Sequence, residues 1–198
     1  MSQEYFGAVG KTYNYYDGIR GYLVVPDHVY VKPGTWDYLN FYLGLDTNVG
    51  GACYDCIELA LSYGPKGGSN EWRYHANWNT QQVGSSSDGK VISAPSGGDW
   101  ILFEILRNNN GSVTVRFDGV EFGTYDIGLP DGCGIKAVHA CESDGNDIEW
   151  TQADFRSLQF RYSGESYWYD WENYNWTKND TGISVYSFLP LETLCDLK

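Results

Sequence analysis

The segment from Tyr38 to Gly64, YLNFYLGLDTNVGGACYDCIELALSYG, constrains the fold more than any other part of the chain. Leu39, Phe41, Leu43 and Leu45 alternate with Tyr38, Asn40 and Tyr42, and Ile57, Leu59 and Leu61 alternate with Cys56, Glu58 and Ser62. Successive side chains of a strand project to opposite faces, so both runs read as strands with one apolar and one polar face. Such strands belong to antiparallel sheets that cover a core on one side only.

The same period recurs along the chain. Ile101, Phe103 and Ile105, then Val113, Val115 and Phe117, then Leu158, Phe160 and Tyr162 form further inward sets. Asn110-Gly111 and Asp118-Gly119 fall between alternating runs and predict tight hairpins. Ser85-Ser86-Ser87-Asp88-Gly89 reads as a connector, and Ser85 to Gly98, poor in hydrophobes, as a mobile loop. Aromatics at 17% with 24 Gly and 1 Met favour pleated strands joined by turns. The expectation is an all-β, antiparallel, two-sheet β-sandwich forming one domain over residues 1–198. An aromatic-rich segment, 163–198, packs on it, holding Tyr167, Trp168, Tyr169, Trp171, Tyr174 and Trp176. These aromatics either plug an end or edge of the sandwich or form a stacking platform for sugar rings.

Thirteen basic against 26 acidic residues give a formal charge of -13 without a basic stripe, which argues against nucleic-acid or anionic-membrane partners. No apolar run reaches the roughly 20 residues of a membrane span, and the N-terminus reads as no signal peptide. Asn110, Asn175 and Asn179 begin glycosylation sequons, and the balance tips toward a secreted or cell-surface protein over a cytoplasmic one. Five cysteines cannot all pair; Cys133 and Cys141 could bridge in an oxidising environment. Cys53-Tyr-Asp-Cys56 has zinc-knuckle spacing without two further ligands, which favours a local disulfide or free thiols over a metal. No cofactor is expected. A subsidiary calcium reading rests on Asp144, Asn146 and Asp147, with Glu149 nearby, without EF-hand spacing.

Gathered onto one sheet, the outward set is Tyr38, Asn40, Tyr42, Glu58, Ser62, Arg73, His75, Asn77, Ser157, Gln159 and Arg161, with His139 at its margin. No lysine or threonine occurs in it. Planar amides, guanidinium groups and aromatic rings suit a neutral polysaccharide or glycan, or a peptide.

The order of motifs resembles the glutamic peptidases, or eqolisins. YFGAV, YDGIRGYLVVP, YLNFYLGLD, CIELALSYG and EWRYHANW follow the family's Trp-Ala-Gly-Tyr start, Val-x-Gly-x-Trp-x-Val-Pro, Trp-Val-Gly-Ile-Asp, Leu-Gln-Thr-Gly and Tyr-Glu-Trp-Tyr strands. GDWILFEI and QADFRSLQF are similar to its Gly-Asp and Ala-Asp-Phe-Gly strands. The resemblance implies a concanavalin-A-like jelly roll with a groove on a concave face. It sets Tyr42 on the family's groove Trp, Glu58 on its catalytic Gln and Val138 on its catalytic Glu. A carboxylate at the amide position would repel an oxyanion, and valine supplies no acid.

The functional expectation is a non-catalytic, lectin-like binder using Tyr38, Asn40, Tyr42, Glu58, Arg73, His75, Asn77, Gln159 and Arg161. One alternative is an acid hydrolase in the glutamic-peptidase mould, with Glu58 and Glu142 as a carboxylate pair. Another is a structural or adhesive surface protein.

Overall fold

A computed structural model describes residues 4–49, 53–65, 69–143, 147–172, 175–178, 183–188 and 191–197. The strands are β1 (Glu4–Val24), β2 (Val29–Val31), β3 (Tyr38–Asp46), β4 (Cys56–Gly64), β5 (Glu71–Thr80), β6 (Gly84–Ile92), β7 (Trp100–Arg107) and β8 (Val113–Phe117). They continue as β9 (Val120–Tyr125), β10 (Cys133–Ser143), β11 (Ile148–Tyr162), β12 (Tyr169–Asp170), β13 (Asn175–Lys178), β14 (Ile183–Phe188) and β15 (Leu191–Leu197). Every pairing is antiparallel, and no helix occurs among the described residues.

One long strand joins two layers. The N-terminal half of β1 pairs with β10, from which β3, β4, β5 and β6 follow in order. Its C-terminal half, Gly18 to Val24, lies between β7 and β11, with β8 and β9 beyond β7 and β15 and β14 beyond β11. Period-two alternation expects separate strands at Gly7 to Lys11 and Ile19 to Pro26; the backbone runs on between them, with a register shift between Thr12 and Tyr16.

The layers meet through their alternating apolar faces. Leu39, Phe41, Leu43, Leu45, Ile57, Leu59 and Leu61 are fully buried against Ile19, Phe103, Ile105, Val115 and Phe155. Tyr74 stacks on Phe117 at 3.8 Å between centroids, and Trp78 lies 4.5 Å from Tyr125, so β5 closes over β8 and β9. Burying an aliphatic or aromatic side chain contributes roughly 1.5–3 kcal/mol, and this interface holds the fold together.

Residues 84–92 form a strand, not the connector that Ser85 to Gly89 suggest. β6 is an edge strand, almost wholly exposed, held through its backbone ladder to β5. A strand without a buried face has no need of alternating hydrophobes, so period-based reading passes over it. The hairpin expected at Asp118-Gly119 is present between β8 and β9, with both residues at positive φ, 51° and 76°.

The C-terminal aromatics divide. Trp171 is buried and its N–H bonds Leu158 O, while β12 and β15 line the edge of β11. Tyr167 and Tyr169 remain exposed, and the Trp168 ring covers the Arg20 guanidinium at 4.4 Å. Tyr174 and Asn179 lie outside the described residues, as does the Trp176 side chain.

Candidate functional site

The outer face of β10, β3, β4, β5 and β6 reads in rows across the ladders. One row runs Lys136, Gly44, Glu58, Asn77, Ser87; the next Val138, Tyr42, Ala60, His75, Gly89; the third Ala140, Asn40, Ser62, Arg73, Val91. Seven of the expected residues, Tyr38, Asn40, Tyr42, Glu58, Arg73, His75 and Asn77, therefore share a face.

Gly44 shapes the first row. A Cβ there would stand 2.8 Å from Lys136 Cε, so only glycine leaves the trough through which the lysine crosses β3 to reach β4. Lys136 Nζ donates to Glu58 Oε1 at 2.6 Å and to Asp46 Oδ2 at 2.9 Å, and passes 5.7 Å from the Tyr42 ring centroid. Lysine and aspartate are almost completely enclosed, and Glu58 retains 18% side-chain exposure. Burial works to lower the Lys136 pKa, but the charges and hydrogen bonds of Glu58 and Asp46 outweigh it and hold the ammonium above the ordinary lysine value. Burial pushes Asp46 up against the pull of Lys136, as fits two acids sharing one base.

The neighbouring rows hold a hydrogen-bonded network. Ser62 Oγ donates to Asn40 Oδ1 and lies 2.5 Å from His75 Nε2, which is 3.2 Å from Asn40 Oδ1. With the serine proton committed to Asn40, the His75 ring nitrogen is the donor toward Ser62, the reverse of what serine activation needs. Arg73 Nη2 donates to Glu71 at 2.6 Å, while its Nε is buried without a partner.

Exposure shifts the usable surface away from Tyr42. Tyr42, Ala60, Val138 and Ala140 form a buried cluster, whereas Arg73 and Asn77 are half-buried and Ser85 and Ser87 of β6 are exposed. A side chain is lacking at Gly89, opposite His75.

Several expectations are corrected. Gln159 and Arg161 sit on β11, across from Arg20 and Gly18, on the outer face of the other layer. There Arg20 donates to Gln159 at 2.8 Å, Glu104 takes Arg116 at 2.5 Å and Arg20 at 3.8 Å, and Arg161 pairs with Asp17 at 2.6 Å. Ser157 also lies on β11, at a bulge with φ 50°. One-sheet grouping fails because period two assigns a face, not a layer. Glu142 pairs across from Tyr38 while Glu58 pairs across from Gly44, a separation of roughly 20 Å along β3, so the two carboxylates cannot share a proton.

His139 faces inward, fully buried between Phe41 and Phe155, with Nδ1 2.7 Å from Thr193 Oγ1. Burial alone lowers its pKa to about 3. Cys133 and Cys141 are buried and stand toward opposite ends of β10, roughly 26 Å apart, so they cannot bridge each other; Cys53 and Cys56 form a disulfide. Of the calcium candidates, Asp144 and Asn146 lie outside the described residues, and Asp147 pairs with Lys32 at 2.6 Å.

Sequence reasoning passed over Lys136, Asp46, Gly44 and β6. The signal for Lys136 was a single lysine inside the apolar run CGIKAVHAC, where an ammonium requires buried partners.

No protein-family model matches the chain, and no curated protein is similar to it. Among solved structures, scytalido-glutamic peptidase with a peptide-based transition-state analog is similar at TM-score 0.58 and 14% identity, over 99% of this chain and 98% of that one. SCP-B, an eqolisin peptidase in complex with the tripeptide Ala-Ile-His, gives 0.57 and 13% over the same shares. The catalytic domain of an endo-1,3-beta-glucanase from Thermotoga petrophila gives 0.47 and 11%, over 85% of this chain and 77% of that one. The chain has the eqolisin fold, a concanavalin-A-like β-sandwich.

Proposed function

We propose that this chain is a non-catalytic binding protein that holds a neutral, hydroxyl-rich ligand, a glycan, on the outer face of β4, β5 and β6. The observation that carries the reading is the 2.6 Å contact between Lys136 Nζ and Glu58 Oε1. It ties up the carboxylate that the motif resemblance sets at the glutamic peptidases' amide position, and the residue that resemblance sets at their acid is Val138, which is closed to solvent. Neither group can activate a water or hold an oxyanion there.

The accessible residues favour an uncharged partner. Asn77, Ser85 and Ser87 offer donors and acceptors without charge, and the half-buried Arg73 guanidinium beside them is paired with Glu71. Sugar hydroxyls could donate to the Asn77 amide oxygen and accept from the Ser87 hydroxyl, which lie side by side across the β5–β6 ladder.

A glycan array tests this with wild-type protein beside Arg73→Ala/Asn77→Ala and Gln159→Ala. Binding lost in the double variant and retained in Gln159→Ala is expected. Equal binding by wild type and double variant would remove the site from this face. A peptide is the second reading, favoured by the tripeptide bound to the similarly folded SCP-B; capture from a peptide array with no glycan signal would select it.

A further inference from the structure

The turn Cys53-Tyr54-Asp55-Cys56 has no part in the ligand face, yet it closes on Asp46. Cys56 lies across the ladder from Asp46. Thr47 Oγ1 donates to Tyr54 O at 2.7 Å and the Thr47 N–H to Asp55 O at 3.3 Å. Asp55, at φ 48°, accepts from the Gln81 N–H at 2.8 Å and from Gln81 Nε2 at 3.0 Å. The turn is thus anchored to β3 on one side and to the end of β5 on the other. This brings Cys53 Sγ, Cys56 Sγ and a carboxylate oxygen of Asp46 within 4.8 Å of one another.

We propose that reduction of the Cys53–Cys56 disulfide turns this cluster into a site for a thiophilic divalent cation of the zinc class, held by two thiolates and the Asp46 carboxylate, with water as fourth ligand. A dithiol supplies two electrons and two protons: the S–S bond breaks, two thiols form and the dithiol closes to its own disulfide. The cation then displaces both thiol protons to solvent as two metal–sulfur bonds and one metal–oxygen bond form. Bond lengths of about 2.3 Å to sulfur and 2.0 Å to oxygen place tetrahedral ligand atoms ~3.5–3.8 Å apart, inside the observed envelope.

Charge and orientation support the assignment. Asp46 and Glu58 share one ammonium, so the neighbourhood is already anionic before either thiol ionises, and a divalent cation offsets the two further negative charges that the thiolates add. Lys136 Nζ on Oδ2 and the Asn48 N–H, 2.7 Å from Oδ1, hold one oxygen each and fix the orientation of the carboxylate, as outer hydrogen bonds do around metal ligands.

Co(II) titration of the dithiol-reduced protein is the test. Wild type should give thiolate-to-cobalt charge-transfer absorption saturating at one ion per chain, unchanged by Cys133→Ser and abolished by Cys53→Ser/Cys56→Ser. Asp46→Asn should raise the Kd at least tenfold. No absorption in the reduced wild type, or absorption that survives the double serine variant, overturns the site. Because Asp46→Asn also removes a Lys136 partner, X-ray absorption of zinc-loaded wild type provides an independent reading: two sulfurs at about 2.3 Å with two lighter ligands are expected, and a shell without sulfur contradicts the proposal.

Discussion

Lys136 Nζ reaches across the bare backbone of Gly44 to lie 2.6 Å from Glu58 Oε1. The contact explains a carboxylate in the middle of an otherwise uncharged strand face. Glu58 is the half-open end of a buried ion cluster whose closed end is Asp46.

Gly44→Ala should therefore act through Lys136. The new methyl meets Lys136 Cε at 2.8 Å and the Ile57 carbonyl oxygen at 3.3 Å, so the lysine stem must move off its partners. Overpacking of this kind costs about 1–3 kcal/mol, read as a fall in the urea midpoint with an unchanged slope.

Lys136→Met should cost more, about 3–5 kcal/mol, because it strands the buried Asp46 beside Glu58. Adding Asp46→Asn and Glu58→Gln should recover part of the loss. Urea unfolding of the single and triple variants measures it, and a triple variant no more stable than Lys136→Met would contradict the charge argument.

The buried His139 predicts an acid limb. Its folded pKa of about 3 lies below the ordinary 6.5. Above pH 6.5 neither folded nor unfolded chain holds the proton and full stability is present. Between 6.5 and about 3 the unfolded chain takes it up and the folded one does not, so stability falls through that window, by on the order of a few kcal/mol. His139→Gln should flatten the slope of unfolding free energy against pH in that range.

How legible was this in the sequence? The strands with one buried face were, because Leu39, Phe41, Leu43 and Leu45 can satisfy only one side of a sheet. The layer to which a strand belongs was not: Gln159 and Asn77 have the same alternation, and only the shared β1 separates them. The polar edge strand β6 and the long-range meeting of Lys136 with Asp46 and Glu58 leave no periodic trace, since backbone pairing and ion pairing depend on register, not on residue type at fixed spacing.

Gly89→Val separates folding from binding. A Cβ at this position makes ordinary contact, 3.4 Å from His75 Cβ, so the fold should tolerate it with a change of less than about 1 kcal/mol. The bulk added over His75 should weaken ligand binding at least tenfold, and unchanged affinity would place the ligand elsewhere.

Native mass spectrometry of the protein with a library of neutral oligosaccharides and short peptides, from pH 3 to 7, tests the central claim most directly. Binding without chemistry predicts a complex at the mass of an intact oligosaccharide, absent from Arg73→Ala/Asn77→Ala, with no cleavage products. Shortened oligosaccharides or peptides that accumulate with wild type would show that Glu58, despite Lys136, belongs to a working active site.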